Sequence, residues 1–169
     1  GAGSPPAFEA AAAAGGLTLI TDTTISSDST IAFTAGFGGA HHHHIFVLSN
    51  IIPVDDDNGY EMEFSTDGGS SYASSGYSYA MHRQRDNGYH VMEVSASASK
   101  ARLAPNTAMG NESDEGCSAY IFLWFPEGTG PTFYHGYLAG QGAGTQPSEV
   151  TTMGGHLDSD ADNVSVYSD

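Results

Sequence analysis

Four consecutive histidines, His41-His42-His43-His44, and an alternating aspartate segment, Asp158-Ser159-Asp160-Ala161-Asp162-Asn163, are the residues whose types and spacing could do chemistry. On a strand, successive side chains point to opposite faces, so His42 and His44 share one face and His41 and His43 the other. Imidazoles at that spacing can hold zinc, copper or nickel. A closed site usually takes four ligands, however, and neither H-E-x-x-H nor Cys-x-x-Cys accompanies them. The other reading is a run that faces solvent or a neighbouring subunit. At a subunit contact, protonation near pH 6 adds like charges, so acid would loosen the assembly. Asp158, Asp160 and Asp162 match the D-x-D-x-D/N opening of a calcium loop. Asn163 stands where such a loop has glycine and Asp169 where it has glutamate, which argues against a full EF-hand and leaves room for a looser calcium site.

No nucleophile elbow, phosphate-binding glycine loop or paired-carboxylate pattern stands out. Gly140-Gln141-Gly142-Ala143-Gly144 resembles the start of a dinucleotide loop, but no helical pattern follows it. The chain therefore reads as non-enzymatic. Tyr77, Tyr79, Tyr134 and Tyr137 cluster near loops rich in Asp, Asn and Gly. Such tyrosines suit either a subunit interface or stacking on the sugar rings of a host glycan.

The chain of 169 residues reads as a single domain large enough for a core. Twenty acidic residues stand against four basic ones, Arg83, Arg85, Lys100 and Arg102, for a net charge of −16. That balance argues against nucleic acid as a partner, because phosphate binding relies on basic residues, and against anionic membranes for the same reason. No apolar run approaches the roughly 18 residues of a membrane span. The single Cys117 forbids an intrachain disulfide and reads as a small buried filler. Charged residues make up only 14%, while glycine contributes 22 residues, a composition that suits a many-stranded β-protein packed against copies of itself.

Two elements organise the rest. Ile45-Phe46-Val47-Leu48 is an apolar strand. Tyr60-Glu61-Met62-Glu63-Phe64-Ser65 alternates with period two, placing Tyr60, Met62 and Phe64 on one face and the glutamates and serine on the other. Asp67-Gly68-Gly69 then supplies the positive φ angles of a tight hairpin turn. Further strands are expected at Leu17-Thr18-Leu19-Ile20, Thr23-Thr24-Ile25 and residues 29–34. A strand carrying Tyr77, Tyr79 and Met81 on one stripe turns at Asp86-Asn87-Gly88 into one carrying Tyr89, Val91 and Val94. Residues 105–116 read as a long polar loop and 119–125 as an inner strand; 132–138, 150–153 and 164–167 complete the set. Short strands, frequent turns and no long helix imply an antiparallel β-sandwich of jelly-roll type over residues 17–169. Residues 1–16 form a Gly/Ser/Pro and alanine-rich arm, flexible or docked on a neighbour with Phe8 as its anchor.

Asn50-Ile51-Ile52-Pro53, the acidic loop after it, the alternating strand and Ser65-Thr66-Asp67-Gly68-Gly69-Ser70-Ser71-Tyr72 together resemble a known domain. It is the β-sandwich found in tail-fibre and other virion proteins of tailed bacteriophages, especially marine ones. The resemblance extends to Gly16-Leu17-Thr18-Leu19-Ile20, to Thr30-Ile31-Ala32-Phe33-Thr34 and to Tyr120-Ile121-Phe122-Leu123-Trp124-Phe125-Pro126. It implies a structural virion protein with no catalytic residues, a homo-oligomer with a trimer favoured, and other virion proteins as partners. A tail-fibre or appendage subunit is the first expectation, a capsid decoration protein the second. A carbohydrate-binding module for host glycans, with calcium or zinc as its candidate ions, is the alternative from another class. The resemblance departs at the histidine run and the acidic C-terminal segment. Related domains continue past the strand at 163–167 into one more, so further chain is expected beyond Asp169.

Overall fold

The computed structural model describes residues 17–24, 30–34, 37, 43–105, 109–124, 130–142, 148–158 and 163–168. Phe8 and the arm at 1–16, together with His41, His42, Asp160 and Asp162, lie outside the described residues. The described residues form an all-β antiparallel sandwich of two sheets. Its strands are β1 Thr30–Phe33, β2 His43–Ile51, β3 Tyr60–Ser65, β4 Tyr77–Arg85 and β5 His90–Ala98. They continue as β6 Ala101–Arg102, β7 Gly116–Trp124, β8 Thr132–Gln141, β9 Ser148–Leu157 and β10 Asn163–Ser168. A four-stranded sheet runs in the order β1-β10-β3-β6, and a six-stranded sheet in the order β2-β7-β8-β9-β4-β5.

The two organising strands sit in different sheets. β3 presents Tyr60, Met62 and Phe64 to the interior, but Glu61 and Ser65, read as the wet face, are buried as well; β2 presents Phe46 and Leu48 from the other side. Between them lie Ile121, Leu123, Tyr134, Leu138, Met153 and Val166, all nearly or completely buried. The register of β8 against β9 sets Tyr134 opposite Gly155. A Cβ on Gly155 would stand 2.8 Å from the Tyr134 hydroxyl oxygen and 2.9 Å from its ring, so the ring fills the space that glycine leaves open. Phe64 stacks on Tyr77 with centroids 6.0 Å apart, and its backbone N–H donates to the Tyr77 hydroxyl at 2.8 Å. Burial pushes the Tyr77 phenol up to about 12. One phenol thereby links β4 of the large sheet to β3 of the small one.

Several expectations are corrected. Asp67-Gly68-Gly69 is a turn with positive φ at both glycines, but it is not a hairpin. β3 pairs with β10 and β6, so the chain crosses from the small sheet to β4 of the large one. Residues 17–24 belong to neither sheet, and Leu17 and Leu19 are exposed. Their β-branched and apolar composition favours extension, but none of the described strands pairs with them. Val94 faces outward, because β5 takes its register from β4, where Ala80 opposes it. The stretch read as a polar loop holds the buried Met109, which bridges Asn58 and packs against Gly140.

The turn after β3 is a hydrogen-bonded unit with a pH signature. Asp67 accepts from the Ser71 hydroxyl at 2.6 Å, the Ser71 N–H at 2.8 Å and the Ser65 hydroxyl at 2.8 Å. These donors, Ser71 first, lower its carboxyl from 3.8 to about 2. A depressed carboxyl contributes stability above its unfolded pKa and loses it as the pH falls through the folded value. Asp67→Ala should therefore flatten the acid limb of a stability–pH curve between about pH 4 and about pH 2 relative to wild type. Urea denaturation at stepped pH measures the difference.

Candidate functional site

Strand alternation gives the six-stranded sheet an outer face, and its composition is unlike that of the rest of the molecule. Outward lie His43, Ile45 and Val47 from β2, and Ser118, Tyr120, Phe122 and Trp124 from β7. Phe133, His135, Tyr137 and Ala139 follow from β8, and Val150, Thr152, Gly154 and His156 from β9. β4 adds Ser78, Ala80, His82 and Gln84; β5 adds His90, Met92 and Val94. No Asp, Glu, Lys or Arg stands among these described positions of a chain with a net charge of −16. Val47, Tyr137 and Tyr120 are 58%, 56% and 55% exposed, and Met92 reaches 76%. Scattered apolar side chains on a surface need no explanation, whereas a contiguous exposed apolar patch does.

Register arranges the face in rows. One row runs His43, Trp124, Phe133, His156, Ser78 across five strands. Neighbouring rings touch along it: His43 to Trp124 at 5.9 Å, Trp124 to Phe133 at 5.9 Å, and Phe133 to His156 at 5.7 Å between centroids. The row ends in a polar chain. Ser78 Oγ lies 2.8 Å from His156 Nδ1, and His156 Nε2 lies 2.9 Å from Asp158 Oδ1. With Asp158 accepting from Nε2–H, a neutral His156 ring would leave Nδ1 to accept from the Ser78 hydroxyl. The arrangement orders imidazole and hydroxyl as a general base and its target would be ordered. Acyl transfer also needs donors aimed at a developing oxyanion, and these three side chains supply none. What they do supply is a hydrogen-bonding end to an aromatic row.

The sequence-derived candidates divide clearly. Tyr137 is on the outer face, as an interface or glycan contact must be. Tyr77 and Tyr134 are corrected: both are core residues, at 0% and 2% exposure, because odd-numbered β4 and even-numbered β8 positions point inward. Burial raises the Tyr134 phenol as well. Tyr79 is half-buried on the inner side, with the Arg102 guanidinium 6.0 Å from its ring centroid. The histidine run does alternate: His43 lies on the outer face against Trp124, whereas His44 is buried beside Phe37. Asp158 is exposed at the rim, bonded to His156. Among the described residues no group of three or more His, Cys, Asp or Glu side chains converges.

No protein-family model, no curated protein and no solved structure matches the chain.

Sequence reasoning missed Ile45, Val47, Tyr120, Phe122, Trp124 and Phe133 as surface residues, although a signal was present. Residues 45–48 and 120–125 are continuous apolar runs, not alternating ones. Runs of that kind mark strands covered on both faces. The described sandwich covers one face of the six-stranded sheet and leaves Val47, Tyr120 and Tyr137 of the other more than half exposed.

Proposed function

We propose that the chain is a structural subunit of a tailed-bacteriophage virion, a tail-fibre or appendage protein, that assembles by packing its outer face against further copies of itself. The uncharged, aromatic-rich outer face of the six-stranded sheet carries this reading. Six strands about 4.8 Å apart and rows spanning about seven residues give a planar area of roughly 600–700 Å². That is close to the roughly 800 Å² per partner of a standard interface. Charge supports the choice of occupant: two copies at −16 each repel, and a face without carboxylates lets them meet where repulsion is least. Two such faces close about a twofold axis and three about a threefold axis. The resemblance to phage appendages favours the trimer.

Sedimentation velocity of wild type and of Tyr120→Glu/Tyr137→Glu tests the reading. These two tyrosines oppose each other in register and are exposed in the single chain, so the substitutions leave the core intact. The expected result is a discrete oligomer for wild type and a monomer for the variant. Identical sedimentation of the two contradicts it.

A second reading rests on the aromatic row from His43 to His156. Rings in a line that end on Ser78 and Asp158 suit stacking on a host glycan with hydrogen bonds at one end. Glycan-array binding by a monomeric wild type, lost in Trp124→Ala, would favour this reading over assembly.

A further inference from the structure

The hairpin β4–β5 brings together two histidines that the sequence separates by a turn. In register, His82 opposes Met92 and Gln84 opposes His90, so His82 and His90 are diagonal neighbours on the outer face. Their rings are parallel within 8° and their centroids are 5.8 Å apart. Two nitrogens on one metal ion lie at most about 4 Å apart at metal–nitrogen distances near 2 Å. Rings stacked at this spacing have to turn about their side-chain bonds to converge on one ion. Both histidines are exposed, so the rotation displaces nothing from the core.

We propose that His82, His90 and Met92 form a site for a soft transition-metal ion, copper(I) in the first place. Two imidazoles bind one face of the ion and the Met92 thioether, opposite His82 and 76% exposed, supplies the third donor. Ligand chemistry sets the selectivity. Thioether sulfur selects copper(I), and the outer face holds no carboxylate that would favour calcium or magnesium. The net charge of −16 draws cations toward the molecule, while the site itself is assembled from neutral donors. The site lies on the β4–β5 hairpin at one edge of the six-stranded sheet.

The test is an anaerobic titration of the full chain with copper(I) against a chromophoric chelator, repeated with silver(I) while histidine-ring and methionine-methyl NMR signals are followed. The expected result is one ion per chain, with silver(I) shifting the signals of His82, His90 and Met92. His82→Asn and His90→Asn should each remove the one-to-one step, and Met92→Leu should weaken it. Binding unchanged in the His82→Asn/His90→Asn double variant overturns the proposal. So does a one-to-one step that disappears only when His41 and His42 are replaced.

Discussion

Replacing Glu149 with alanine is expected to cost about 3–5 kcal/mol of folding stability, because it leaves buried guanidinium groups without their anion. Glu149 faces inward on β9, and its side chain is fully buried. The Arg85 Nε donates to its Oε2 at 3.1 Å, and the Arg83 Nη1 lies 3.8 Å from the same oxygen. Arg83 and Arg85 are themselves largely out of solvent, with the Tyr89 ring beside both guanidiniums. Removing one member of such a cluster exposes the desolvation cost of the others, whereas removing all of its charges at once would cost far less. Chemical denaturation should show the loss as a lower midpoint at unchanged slope. The pH dependence reports the opposing cost of burying the carboxylate itself. Burial raises the Glu149 carboxyl above its ordinary value of 4.5, against the lowering by Arg85 and Arg83. A raised carboxyl contributes stability below its unfolded pKa and loses it as the pH rises through the folded value. The stability of wild type relative to Glu149→Gln should therefore fall as the pH rises above the ordinary carboxyl value of 4.5.

Phe64→Ala is expected to cost a similar amount, about 3–5 kcal/mol, the usual range for deleting a buried phenylalanine. Phe64 is completely buried at the middle of β3. It contacts two aromatic rings of the opposite sheet, Tyr77 at 6.0 Å and Tyr134 at 6.3 Å between centroids. Neither ring can collapse into the vacancy. Tyr77 is tethered through its hydroxyl to the Phe64 N–H, and Tyr134 lies against Gly155. The cavity would stay open and the full penalty would appear. Phe64→Leu, which keeps most of the volume, should cost less than about 1.5 kcal/mol by the same measurement.

Local pattern made much of the fold legible. The period of two in Tyr60–Ser65 placed three core residues, and Asp86-Asn87-Gly88 marked the β4–β5 hairpin, with Gly88 at positive φ. Partner choice was not legible, because neither alternation nor a turn dipeptide says which sheet a strand joins. Asp67-Gly68-Gly69 is as good a hairpin signal as Asp86-Asn87-Gly88, yet one turn crosses between sheets and the other does not. Residues 17–24 show the converse: suitable composition, but no pairing partner among the described residues. The candidate face was hidden for a related reason. Tyr134 and Tyr137 are three positions apart on one strand, so one enters the core and the other faces solvent, and only register tells which. The histidine run drew attention by being contiguous. The histidines that the fold brings together, His82 and His90, are separated by a turn.

Trp124 gives the most direct test of whether the outer face is an interface. It is the only tryptophan, it lies within the aromatic row, and it is 49% exposed in the single chain. Its emission maximum and its acrylamide quenching can be followed from high concentration to high dilution, in wild type and in Tyr120→Glu/Tyr137→Glu. The predicted result for wild type is blue-shifted, protected emission at high concentration that becomes red-shifted and quenchable on dilution, with the variant quenchable throughout. Emission and quenching in wild type that match the variant at every concentration would contradict assembly through this face.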